Sequence, residues 1–260
     1  MAEKICIDQL GRKVSIPDKP LRIVSLVPSI TDFLHYLNFD KEVVGITKFC
    51  IHPDEWFNTK TRIGGTKSLN IEKISALNPD LIIGNKEENV ENEINALSNH
   101  FPVWMSDVNS FVDANKMIQE LGIVLNRQNE CKLLINSIKD SFQNLANFGQ
   151  NKSVLYFIWH DPDYVAGSFT FIDSILNTFG FVNHCKMNRY PDINDISIDS
   201  PDYIFLSSEP FPFSSKHIEY FEDKFPTSKV VLVSGEMFSW YGSYMLKLPS
   251  YIENELINKL

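Results

Sequence analysis

The chain repeats itself once, and that repetition restricts its possible folds more than any other feature. Pro79-Asp80-Leu81-Ile82-Ile83 leads into an acidic loop, a helical pattern, Phe101-Pro102 and an apolar strand. Pro201-Asp202-Tyr203-Ile204-Phe205 leads into the same succession, which ends at Phe225-Pro226 and a second strand. In each copy a glutamate, Glu87 or Glu209, lies eight residues beyond the proline. A weaker echo precedes it: Ser29-Ile30-Thr31 and Ser168-Phe169-Thr170 each open a helical stretch that ends near an aromatic, Phe39 or Phe181. One match could arise by chance; the shared order of several points to two similar α/β lobes. Only two copies exist, which excludes a repeat array. At 260 residues and 43% hydrophobic content, two modest cores are affordable.

Short apolar runs predict strands at 22–27, 43–46, 80–83 and 103–105, then at 154–158, 203–206 and 230–233. Between them, spacings of three and four predict helices that open at Ser29 as N-cap, at 71–77, 90–97, 170–179 and 215–222, with a closing helix over 244–260. Such alternation specifies parallel sheets flanked by helices. From 111 to 148 there is no proline and the apolar spacing stays helical, with an interruption foreseen at 126–129. A helix of some 30 residues would cover about 45 Å. The predicted fold is therefore α/β: two Rossmann-like lobes with parallel sheets, at 1–108 and 151–260, joined by a long backbone α-helix within 109–150.

Charge narrows the partners. Thirty-three acidic against 24 basic side chains give a net charge of −9 with no Lys/Arg cluster, so nucleic acid and anionic membrane surfaces are not expected partners. No apolar run approaches the roughly 20 residues of a transmembrane helix. The start, Met1 to Cys6, lacks the basic and apolar regions of a secretory signal, so either an export signal has been removed or the chain stays in the cytoplasm. Cys6, Cys50, Cys131 and Cys185 form no CxxC pair and are expected as free thiols.

In open α/β sheets, ligands bind beyond the carboxyl ends of the strands. The loops expected there hold Pro28 and Ser29; Lys48, Phe49, Cys50, His52 and Trp56; and Gly64-Gly65-Thr66-Lys67-Ser68. In the second half they hold Trp159, His160, Tyr164, Phe169, Arg189, Tyr190 and the stretch Gly235 to Gly242. Aromatic walls with a few polar groups suit a bulky, partly apolar ligand. Phe238, Trp240 and Tyr241 lie too close in sequence to share one core, so at least one should be exposed. Cys50-Ile51-His52 offers two metal-ligand types, but three or four are needed, and the histidines follow no ligand motif; no metal site is expected. Gly64 to Ser68 lacks the glycine spacing of a phosphate loop and reads as a turn with its amides toward the crevice. No enzyme signature is present, and no catalytic residue is assigned.

The segments Arg22 to Thr31, Val43 to Thr47, Gly64-Gly65, Leu69 to Ile83 and Ser207-Ser208-Glu209-Pro210-Phe211-Pro212-Phe213 resemble the helical-backbone class of ABC-importer solute-binding proteins, with cobalamin-binding and ferric hydroxamate-binding members. The likeness runs through nearly the whole chain in order, and Leu69 to Ile83 is its most specific part. It implies a periplasmic, monomeric protein that takes a metal chelate between its lobes and delivers it to a permease dimer. The chelate, a corrinoid or a ferric siderophore, would be transported ligand; no covalently bound cofactor is expected. The ligand-binding set would be Pro28, Ser29, Phe49, His52, Thr66, Lys67, Trp159, Phe169, Arg189, Tyr190, Trp240 and Tyr241. Glu87, with Glu88 and Glu91 as rivals, and Glu209 would dock on permease arginines. Only Lys48, Lys67 and Arg189 are cations in the crevice loops, and the aromatic richness favours a flat, neutral, corrinoid-like chelate. Two alternatives remain open: a cytoplasmic carrier or sensor of such chelates with the same fold, or a small cofactor-modifying enzyme with His160 or His52 as base.

Overall fold

The computed structural model describes residues 2–196 and 199–260. They form two compact units. One comprises Met1–Val108, Asp113–Asn136 and Tyr241–Tyr244; the other comprises Asn109–Val112, Ser137–Trp240 and Met245–Leu260.

The first unit opens with an antiparallel hairpin, β1 (Glu3–Ile7) and β2 (Lys13–Pro17), that sequence patterning did not single out. Cys6, Val14 and Ile16 face inward, while Ile5 and Ile7 are exposed. Asp8 holds the turn by accepting from the amides of Leu10 and Arg12 and from Arg12 Nε. Then follow β3 (Ile23–Ser25), α1 (Pro28–Tyr36), β4 (Val43–Ile46), α2 (Asp54–Thr59), β5 (Thr61–Arg62), β6 (Gly64–Gly65), β7 (Ser68–Leu69), α3 (Ile71–Ala76), β8 (Leu81–Asn85), α4 (Glu91–Ser98) and β9 (Val103–Ser106). The main sheet runs β5-β4-β3-β8-β9, parallel throughout. Its central strands bury Ile23, Val24, Leu81, Ile82 and Ile83 completely. Each such side chain contributes about 1.5–3 kcal/mol through removal from water.

The Pro-Asp motif has a structural task. Asp80 accepts from the amides of Leu21 and Arg22 at 2.9 and 2.8 Å, satisfying donors that β3 exposes at its start. Helix α1 departs from expectation at its first turn: the N-cap is Val27, Pro28 occupies the first position and Ser29 lies inside. Proline suits that place because its missing N–H would be unpaired there anyway.

The helical stretch after β9 is two helices, α5 (Phe111–Val124) and α6 (Gln128–Gln143), and the limits of the two units fall within them. The foreseen interruption is a complete break. Asn126 takes a left-handed conformation (φ 55°), and the Arg127 amide bonds back to Gly122 O at 2.7 Å, an asparagine-terminated helix end. The helices have 14 and 16 residues, so neither reaches the length of a single run.

The second unit contains β10 (Ser153–Trp159), β11 (Tyr164–Val165), α7 (Phe171–Thr178), β12 (Val182–Asn183), β13 (Tyr203–Ser207), α8 (Ile218–Lys224), β14 (Lys229–Val233), α9 (Gly235–Ser239) and α10 (Leu248–Tyr251). Strands β10, β13 and β14 are parallel neighbours; β11 pairs antiparallel with β10, and β12 adds a short parallel pairing to it. Thr170 caps α7 by accepting from the Asp173 amide. Asp202 repeats the task of Asp80, accepting from Ser153 N at the start of β10 at 2.8 Å and from Lys152 Nζ at 2.8 Å. The expected closing helix is instead a succession of 3-10, α and π turns over 242–256.

Candidate ligand site

In the first unit the strand order reverses at β3, so the connections after β3 and β8 leave in opposite directions and open the place where such sheets take ligands. A buried polar network fixes these loops. Asn85, the last residue of β8, accepts at Oδ1 from the amides of Glu87 and Glu88 at 2.8 and 3.1 Å and donates to Ser106 Oγ at 3.1 Å. Asn89 accepts from Asn85 N and donates to Thr66 O at 3.1 Å. Thr66 and Lys67 form the turn between β6 and β7, and Lys67 Nζ donates to the Glu87 carbonyl. Gly64 has φ 103°, and a Cβ there would stand 2.4 Å from Ser68 O, so this tight hairpin demands glycine. Phe49 is half-exposed with Lys48 Nζ 5.0 Å from its ring centre, and His52 stacks on Tyr244 at 6.2 Å.

Cys50 is fully buried, its sulfur 3.0 Å from Thr31 Oγ1 and 3.2 Å from Thr47 Oγ1. Burial pushes its thiol up to about 11, against the smaller effect of those hydrogen bonds. It is thus a protonated core group, two residues before the stacked His52. Among the described residues, no group of three or more His, Cys, Asp or Glu side chains is arranged to hold a metal ion. All four cysteines are free and buried.

In the second unit, Trp159 ends β10 and is 42% exposed, and Phe169, in a left-handed conformation (φ 58°) ahead of α7, is 65% exposed. Arg189 Nη1 donates to Phe169 O at 2.8 Å and to Asn109 Oδ1 at 2.6 Å, and its guanidinium lies 5.6 Å from the Tyr190 ring centre. A depression of about 660 Å³ opens beside Phe169, lined by polar groups that include Asn109, Asp173, Asn177, Lys186 and Asn188. Glu209, two residues past β13 as Glu87 is past β8, has its carboxylate fixed: Oε1 accepts from Ser239 Oγ at 2.7 Å and Trp240 Nε1 at 2.9 Å. Gly235 makes room for it, since a Cβ there would lie 2.4 Å from Glu209 Cγ.

The expected ligand-lining set divides by exposure. Phe49, Lys67, Trp159 and Phe169 are exposed, and His52, Thr66, Arg189 and Tyr190 are half-buried. Pro28, Ser29, Trp240 and Tyr241 are buried. The expectation that one ring of 238–241 would be exposed fails: Phe238, Trp240 and Tyr241 are all less than 7% exposed. They avoid crowding one core because α9 ends at Ser239 and the chain passes from one compact unit into the other between Trp240 and Tyr241. Trp240 serves Glu209, whereas the Tyr241 phenol, raised by burial, faces Ser29 and Ser106. Sequence reasoning did not single out Asn109, Asn177, Lys186 and Asn188 of this depression; they are scattered polar residues with no motif, brought together only by the tertiary structure.

The petrobactin-binding protein YclQ of Bacillus subtilis superposes with a TM-score of 0.82 at 17% identity, over 98% of each chain, which shows a shared fold. Among curated sequences, an uncharacterized ABC transporter substrate-binding lipoprotein, YvrC of Bacillus subtilis, is 28% identical over 182 residues, 65% of this chain and 57% of that protein. A vitamin B12-binding protein of Vibrio vulnificus is 26% identical over 141 residues, 51% of each. The chain thus spans little more than half the length of the curated relatives it matches. Residues 23–230, from the first strand of the main sheet to β14 of the second unit, match the family described as Periplasmic binding protein, and the chain belongs to that family.

Proposed function

We propose that this protein is the solute-binding component of an ABC importer: it captures a metal chelate and delivers it to a permease dimer in the membrane. The observation that carries this function is the family match over 23–230 combined with exposed aromatics at the carboxyl-end loops of both units, Phe49 in one and Trp159 and Phe169 in the other. The names of its relatives, which bind vitamin B12 or petrobactin, support a chelate as the ligand class. The ligand-facing groups are Phe49, His52, Thr66 and Lys67 together with Trp159, Phe169, Arg189 and Tyr190; Pro28, Ser29, Trp240 and Tyr241 act from beneath, as supports. Glu87, Glu88 and Glu209 form the docking set. The fixed backbone of Glu87 and Glu88 and the fixed carboxylate of Glu209 support that role, because surface ion pairs contribute only about 0–1 kcal/mol each and pre-ordering is what makes them selective. The protein works as a monomer outside the cytoplasmic membrane, with lobes at 1–108 and 151–260 and a helical spacer within 109–150. Titration with aquocobalamin, haemin and a ferric hydroxamate, followed by tryptophan fluorescence, tests the function. Saturable quenching by at least one is expected; no response to any of the three would overturn it.

A further inference from the structure

Directly after Trp159, the second unit holds a carboxylate–histidine pair. His160 Nδ1 lies 2.6 Å from Asp163 Oδ1. Asp163 is 4% exposed and is anchored on its other oxygen by Lys224 Nζ at 2.7 Å and Tyr220 OH at 3.1 Å. A carboxylate only accepts, so Nδ1 carries a hydrogen, and in the neutral imidazole Nε2 presents its lone pair. Among the described residues Nε2 makes no hydrogen bond, and the His160 side chain is 26% exposed. Neighbouring His217 is wired the opposite way: its Nδ1 accepts from the Ser214 amide at 3.0 Å, which leaves the hydrogen on Nε2. Of the two imidazoles, only His160 can offer a nitrogen to a metal through Nε2.

One nitrogen is too few for a bare ion, which takes three or four protein ligands. It is the number required by a metal whose equatorial positions a macrocycle already fills. The surroundings fit such a ligand. The Phe211 ring lies 5.7 Å from that of exposed Trp159 and 5.8 Å from that of His160, both edge-to-face, so the imidazole sits among aromatic rings of which Trp159 is exposed to meet a flat ring system.

We propose that His160 Nε2 is an axial ligand to the metal of a bound metallotetrapyrrole, displacing a water or other weak ligand, with Asp163 as its positioning residue. This inference rests on the proposed function and narrows its ligand class to chelates with an exchangeable axial site, excluding hexadentate siderophores as the principal cargo. The test is an absorption titration of the whole chain with haemin and with aquocobalamin. Wild type should give the band shift of nitrogen ligation with at least one of them. His160→Ala should lose that shift and bind at least about tenfold more weakly, with added imidazole restoring the spectrum. His217→Ala should keep it. An unchanged spectrum in folded His160→Ala overturns the proposal, as does a loss that imidazole does not restore. Saturable binding of the ferric hydroxamate alone would overturn this inference and leave the importer function standing; binding of none of the three would remove both.

Discussion

The two units use the same scaffold and finish it differently. Each has a Pro-Asp pair whose carboxylate caps the start of a neighbouring parallel strand, Asp80 for β3 and Asp202 for β10. Each places a glutamate two residues past a strand whose last side chain holds the loop: Asn85 for Glu87, and Ser207, which donates to Glu209 O at 2.5 Å, for Glu209. Beyond the strand ends they diverge. The first unit fills the space with small, buried polar groups, Ser25, Thr31, Thr47, Asn85, Asn89 and Ser106, bonded to one another, to the Cys50 sulfur and to backbone. The second fills it with rings: Trp159, His160, Phe211, Phe213, His217 and Tyr220 are linked by edge-to-face contacts, with one buried carboxylate beneath them. A satisfied polar network fixes loop backbone, whereas an aromatic cluster around a single buried charge makes the stability of its region depend on that charge.

The sharpest break in the comparison is expected at Asp163. Burial alone would raise its carboxyl, but the hydrogen bonds from Lys224 and His160 outweigh that and hold it below the usual carboxylate range. Asp163→Ala leaves Lys224 and His160 without their shared acceptor and should cost about 3 kcal/mol or more in urea unfolding, since the partner charge is left half-buried. A folded pKa below the unfolded value stabilises above the ordinary carboxylate pKa and is lost as pH falls through the folded value. The wild type should therefore weaken on the acid side, and Asp163→Ala should lose that part of the acid dependence. A loss below about 1 kcal/mol would show that the rings, not the charge, hold this region.

A smaller effect is expected where the units agree. Gly235→Ala drives a methyl into Glu209 Cγ and Ser207 Oγ, so it should destabilise by about 1–3 kcal/mol and, if Glu209 docks, weaken transporter coupling more than chelate affinity. Equal loss of both would detach Glu209 from docking.

The smallest effect is expected at the duplicated caps. Asp202→Asn and Asp80→Asn should each cost no more than about 1 kcal/mol, because both carboxylates are partly exposed to solvent. Hydrogen bonds from Lys152 and from the Ser153 amide hold Asp202 down at about 2. Its contribution is complete above the ordinary carboxylate value of about 3.9 and fades as pH falls toward 2. Acid titration of Asp202→Asn should accordingly be flatter than that of the wild type in that window.

Most strands and helices were legible because burial on both faces of a parallel strand demands continuous apolar runs such as Leu81 to Ile83, and amphipathic spacing marks the helices over them. The β1–β2 hairpin escaped because only Cys6, Val14 and Ile16 face inward, and lysines and serine interleave them. Ser29 looked like a cap, but Pro28 already fixes the backbone angle of the first helical turn.

The amino-acid order by itself determined the duplication, the α/β alternation, the two Pro-Asp pairs and the paired glutamates, since all of these depend on local periodicity and fixed offsets. Tertiary structure alone decided that Trp240 supports Glu209 instead of facing solvent, that Tyr241 is buried against Ser29 and Ser106, and that His160 meets Asp163 with its outer nitrogen unbonded. The reason is physical: a side chain's exposure and its hydrogen-bond partner depend on where the chain turns and which distant groups arrive, and Asp163 is set by Tyr220 and Lys224, some 60 residues away.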